Sequence, residues 1–147
     1  MSSLAAQKAT VSDFINYFTN WQLDAVAGLC APGFIRNQQP SSSLGESEEN
    51  AEVMFARLQG MSALFTSPLI YGTKNFLHDG EAHKSSFEFV IKVDTKIGPL
   101  ELQGVMIQTF TEDGKKVTRV DEFVDSKAME AFMAKVTAAM GGGGEPA

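Results

Sequence analysis

The chain has 147 residues, 44% of them hydrophobic and 20% charged, which is enough for one domain with a substantial core and too apolar for disorder outside the ends. Its net charge of −6, with only twelve scattered Lys and Arg residues, argues against a nucleic-acid partner. A single cysteine, Cys30, excludes an internal disulfide framework, and the lack of a long apolar run or a signal-like start leads us to expect a soluble, cytoplasmic protein with no membrane partner.

Residues 1–9 are small and polar and are expected to be flexible, as is the Gly-rich tail over residues 141–147, leaving a single domain over residues 10–140. After Thr10 and Asp13, the residues Val11, Phe14, Ile15 and Phe18 recur at helical spacing and predict an amphipathic helix. A second short helix runs from about Leu23 to Cys30 and stops at Pro32 and Gly33. "FIRNQQP" reads as a short strand closed by Pro40, and "SSSLGESEEN" as a polar loop whose Glu46, Glu48 and Glu49 are solvated. A helix from about Glu46 to Phe65 is expected to bury Val53, Met54, Leu58, Met61 and Phe65.

Four strands follow without a helix between them: "LIYGTKNFL", "KSSFEFVIKVDT", "LELQGVMIQTF" and "KVTRVDEFV". Each connection carries a glycine, so the strands form an antiparallel meander. Asp125 or Ser126 then caps a last helix with Ala128, Met129, Phe132, Met133 and Val136 as its buried stripe. This order predicts an α+β fold, a cone-shaped bent antiparallel sheet packed against three to four helices and enclosing a pocket, with no parallel crossover.

Glu122 is the residue that alternation singles out, because it shares a strand face with Thr118, Val120 and Val124. A carboxylate in that apolar row is either held in a pocket, partly desolvated and able to trade protons with a substrate, or paired with a neighbouring strand. Arg36 and Gln38 face inward if Phe34 does, whereas the opposite parity turns Ile35 and Asn37 inward. The row Phe87, Phe89, Ile91 and Val93 is apolar enough to suggest a dimer interface on the outer sheet face. That parity would turn Glu88 and Gln103 toward the pocket, as site residues or as structural hydrogen-bonding groups. Asp121 reads as a surface ion-pair partner, and His78 and His83 as exposed loop residues. No dinucleotide fingerprint, phosphate loop, metal-ligand cluster or Ser, His, Asp set stands out, so no cofactor and no metal is expected.

"IGPLELQGVMIQTFTEDGKKVTRVDEFVDS", together with Trp21 and the following "LDAVAGLCAPGF", resembles the SnoaL-like polyketide cyclases of the nuclear-transport-factor-like α+β cone superfamily. The resemblance covers roughly residues 10–138 and is similar in detail to fungal SnoaL-like isomerases and cyclases of meroterpenoid and indole-alkaloid biosynthesis. It implies a homodimer, an apolar pocket for a hydrophobic small-molecule substrate, an acid at Glu122 and an arginine at Arg36. Trp21, Val105 and Val120 are further candidate substrate-binding residues of that pocket. The pocket tyrosines of some relatives are missing from "LELQGVMIQTF"; the two tyrosines of this chain are Tyr17 and Tyr71. The implied activity is cofactor-independent isomerisation or cyclisation, with epoxide hydrolysis, dehydration or a non-catalytic binding or dimerisation module as alternatives.

Overall fold

Alternating β-branched and aromatic residues after position 69 give three long antiparallel pairings, and this meander is the frame on which everything else is hung. A computed structural model describes residues 3–141. The elements in chain order are α1 (Ser3–Thr19), α2 (Leu23–Leu29), β1 (Cys30–Gln39), α3 (Ser41–Leu44), β2 (Glu49–Asn50), α4 (Ala51–Ser62), β3 (Ile70–Asp79), β4 (Lys84–Thr95), β5 (Gly98–Phe110), β6 (Val117–Val124) and α5 (Ser126–Gly141). One six-stranded sheet has the order β2-β1-β6-β5-β4-β3, with the helices providing the second layer of an α+β cone.

The sheet is mixed, because β1 runs parallel to β6, opposing Arg36 to Val120 and Gln38 to Glu122. The expectation that no strand needs a parallel neighbour is therefore corrected. The chain covers the distance through α3, β2, α4 and the meander, a connection long enough to return β6 alongside β1 in the same direction. β1 also starts earlier than expected, absorbing Cys30 and carrying a register shift between Cys30 and Ile35, where Gly33 adopts φ +79°.

Residues 3–9 are helical rather than flexible, since Ala, Gln and Lys there are good helix formers and α1 is tied down at that end. The buried Gln7 amide donates to the Lys84 carbonyl at 2.8 Å and to Ser85 Oγ at 2.9 Å, and Thr10 Oγ1 donates to the Gly114 carbonyl at 2.7 Å. The tail beyond Gly141 lies outside the described residues. α4 begins at Ala51, where Asn50 caps it by accepting the Val53 N–H at 2.9 Å. It buries Met54 and Leu58 and leaves Val53 exposed. Asp125 caps α5 by accepting the Ala128 N–H at 3.2 Å, and Phe132 is that helix's buried anchor, with Met133 exposed. Among the described residues no helix is long and apolar enough to cross a membrane.

The inner face of the sheet carries Phe87, Phe89 and Val93 from β4, Leu100, Leu102 and Met106 from β5, and Val120 and Val124 from β6, all in the core. This reverses the expected parity of β4. Its aromatic row faces the helices, where Phe89 stacks on Tyr71 at 5.8 Å and Phe87 meets Phe76 at 5.4 Å. The residues that pair across the outer face are Glu88 with Val105 and Val90 with Gln103.

Candidate active site

Two register choices build the site. Glu49 on β2 pairs directly with Arg36 on β1, and Glu122 on β6 lies two residues beyond the Arg36 partner Val120, on the same face. The Arg36 guanidinium is thus met from two sides, Nη1 donating to Glu49 Oε1 at 3.1 Å and Nη2 to Glu122 Oε1 at 3.1 Å. The side chains are nearly out of water, with 8% exposure for Arg36, 10% for Glu49 and 14% for Glu122. From the first turns of α4, Arg57 closes the outer end through Nη2 to Glu49 Oε1 at 2.7 Å, and its Nε contacts both oxygens of the same carboxylate. Two carboxylates and two guanidiniums form an alternating row from the concave face to the surface, where Arg57 is 37% exposed.

Burial of like numbers of opposite charges is what makes this row tolerable. A lone guanidinium here would bear the desolvation cost of an uncompensated ion, and Glu49 and Glu122 together remove it. Tyr71 on β3 lies within the field of Glu122. Burial first, and then that negative charge, hold its hydroxyl well above the ordinary phenol range, so it stays protonated. Around the charges the interior is aromatic: Phe18 packs on Trp21 and on Tyr71, each at 5.3 Å, and Trp21 packs on Phe65 at 5.1 Å. The buried Trp21 Nε1 and Tyr71 Oη have no hydrogen-bond partner, and neither do His83 Nδ1 and Gln108 Oε1.

The structure brings Arg36, Glu122, Val120 and Gln38 together on one face, with Trp21 in the aromatic cluster beside Tyr71. The contact of Arg36 with Glu122 settles the parity of β1, with Phe34 buried on the same side and Asn37 turned to Asp121 on the other. Glu88, Gln103 and Val105 are corrected: all three point away from this face. Glu88 accepts from Asn75 Nδ2, while Gln103 and Val105 are exposed, because the larger Phe87 and Phe89 take the core positions. A shallow cleft of about 450 Å³ on that outer side is lined by Phe76, Leu77, Ser86, Glu88 and Val105, and another of about 290 Å³ lies between α1 and β3 near Lys8 and His78. Asp121 pairs with Arg119 on the outer face, at 3.0 Å. His78 is not a free loop residue: Nδ1 hydrogen-bonds Ser85 Oγ at 2.7 Å.

Glu49 and Arg57 were not legible as site residues. Glu49 sits in an acidic run that reads as solvated, and its inward placement comes from pairing with β1. Among the described residues no group of three or more His, Cys, Asp or Glu could hold a metal ion.

No protein-family model matches the chain. The chain is 25% identical over 132 residues, 88% of its length and 85% of the relative's, to a protein named monooxygenase nsrQ from Aspergillus novofumigatus. Among solved structures it is similar to PrhC from Penicillium brasilianum, with a TM-score of 0.84, 19% identity, and coverage of 95% of this chain and 93% of that one. It is also similar to the BvnE pinacolase from Penicillium brevicompactum, with a TM-score of 0.83, 17% identity, and coverage of 92% and 97%. The chain therefore has the nuclear-transport-factor-like α+β cone fold expected of the SnoaL-like proteins.

Proposed function

We propose that the protein is a cofactor-independent isomerase or cyclase that moves a proton on a hydrophobic natural-product intermediate, with Glu122 as general base and acid. The observation that carries this reading is the Glu122 carboxylate at 3.1 Å from Arg36 on the inner sheet face, with the buried Tyr71 within the field of its charge. Arg36 orients that carboxylate, and the surrounding rings hold an apolar substrate in its reactive shape. The pinacolase among the structural neighbours supports a rearrangement on this fold. Replacing Glu122 by Gln keeps size and hydrogen bonding but removes the proton carrier, so turnover of the physiological intermediate should fall about 100-fold or more. Near-normal turnover in that variant would reject the assignment.

The relative named a monooxygenase favours a second reading, in which the same proton abstraction produces a carbanion that reacts with O₂ directly. Oxidation of a substrate CH₂ to a carbonyl by O₂, with water as the second product, balances without an external reductant. Isomerisation leaves the substrate mass unchanged, whereas this oxygenation incorporates one atom from labelled O₂.

The functional unit in this proposal is a homodimer joined across the outer sheet face. Val105 and Phe123 form an opposed, exposed apolar pair there, 37% and 47% exposed, and Leu77 is more exposed still.

A further inference from the structure

We propose that the indole N–H of Trp21 and the hydroxyl of Tyr71 form a donor pair for the carbonyl oxygen of a flat, apolar ketone bound on the concave face. The inference rests on the acid-base reading of Glu122 and adds the substrate class to it.

Trp21 occupies a position where its backbone is costly. α1 ends with the Gln22 N–H donating to the Tyr17 carbonyl at 2.8 Å and the Trp21 N–H to the Phe18 carbonyl at 3.0 Å, the paired bonds of a Schellman turn. The residue after the cap in this turn is usually glycine, because it must take a left-handed conformation, and Trp21 does so at φ 54°. A side chain with a Cβ there weakens the helix end by a factor of about ten. Something about the indole offsets that cost.

Packing alone does not explain it. Phenylalanine would fill contacts of the same kind with Phe18 and Phe65 without burying an N–H, and phenylalanine in place of Tyr71 would stack on Phe89 without burying a hydroxyl. Instead both polar atoms are buried and unpartnered, a state that costs each a factor of about ten or more in folding equilibrium. Both rings pack on Phe18, so the two atoms belong to one aromatic cluster. The Arg36 guanidinium is held on the two carboxylates through Nη1 and Nη2, whereas the indole N–H and the phenol hydroxyl have no protein partner at all.

A ketone supplies what these donors lack, an acceptor without charge, on a body that suits the rings. Glu122 takes a proton from the carbon beside the carbonyl, the C–H electron pair becomes the new C–C π bond, and the carbonyl π pair moves to oxygen. Tyr71 and Trp21 then face the enolate oxygen, and Tyr71 remains the donor because burial and the Glu122 charge keep it protonated. Return of the proton from Glu122 to the same or another carbon completes the step with no co-reactant.

The test compares 2-tetralone with tetralin, two probes of similar shape that differ by the carbonyl, by ligand-observed NMR titration of the full chain. The wild type should prefer the ketone by about tenfold or more, and Tyr71→Phe and Trp21→Phe should each lower that preference by about threefold or more while tetralin binding stays put. Tyr71→Phe should also melt no lower than wild type without ligand, since the hydroxyl has no internal partner to lose. A ketone preference unchanged in both variants, or a Tyr71→Phe chain clearly less stable than wild type, overturns the proposal. Glu122→Gln should keep the ketone preference and lose hydrogen–deuterium exchange beside the carbonyl. Exchange at the wild-type rate in that variant sinks the role of Glu122 and leaves the donor pair standing.

Discussion

Arg36 offers a quantitative test of the site's electrostatics. Its guanidinium is 8% exposed and has two carboxylate partners, each at 3.1 Å. Glu122→Gln leaves it Glu49, and Glu49→Gln leaves it Glu122, so each single variant keeps one counter-charge and loses about 1–2 kcal/mol. The double variant faces the buried guanidinium with two neutral amides. Stranding a buried charge costs about 3–5 kcal/mol, so the double variant should lose about that much in total, which on the middle of each range is about 1 kcal/mol more than the singles together. In a domain of this size that total corresponds to melting about 6–20 °C below wild type. Urea unfolding of the four chains, followed by far-UV circular dichroism, measures the cycle directly. Losses that add to within about 0.5 kcal/mol would show that Arg36 does not depend on this pair of acids, and the electrostatic account of the site would fail.

Gly114 turns at φ +74°, and a Cβ there would lie 2.3 Å from the Ser3 carbonyl oxygen and 2.7 Å from the Gln7 nitrogen, both backbone. Gly114→Ala should therefore destabilise the protein by about 1–3 kcal/mol and speed amide exchange in α1, and normal exchange there would count against the tight docking described. Burial, opposed only partly by Lys116, raises the Cys30 thiol from 9.0 to about 11, so the native chain holds about 100-fold less thiolate at pH 8 and a thiol reagent should label it far more slowly than the unfolded chain. Because the folded value lies above the unfolded one, this contribution to stability is intact below about pH 9 and is lost as pH rises toward 11; a Cys30→Ala chain should lack that part of the decline. Phe123→Lys on the outer face should convert the dimer to monomer in equilibrium sedimentation, and a wild-type chain that is monomeric at micromolar concentration would refute the interface.

Alternation over Val120, Glu122 and Val124 was enough to turn Glu122 inward, because one face of β6 is apolar and the other carries Arg119 and Asp121. β4 offered no such contrast. Ser86, Glu88 and Val90 on one side and Phe87, Phe89 and Ile91 on the other are each compatible with a buried surface, and the wrong parity put Glu88, Gln103 and Val105 in the pocket. Ring volume settles it: Phe87 and Phe89 need the thick layer between sheet and helices, while the outer face has room only for a flat contact. Glu49 was beyond local reading for a different reason. Its partner Arg36 is brought to it by the pairing of β1 with β2, and nothing in "GESEEN" distinguishes the acid that is buried from those that are not. The left-handed Trp21 and the helical start at Ser3 likewise depend on where α1 docks.

The parallel neighbours β1 and β6 have a consequence for the order in which the molecule acquires its working parts. The three hairpin pairings of the meander close loops of a few residues, whereas the contact between Arg36 and Glu122 spans 86 positions along the chain. Loop-closure entropy favours the short closures first, and contacts of such long range slow the final step. A refolding chain would thus regain its strand signal before its acid meets its arginine, and catalytic competence would report the last closure of the sheet.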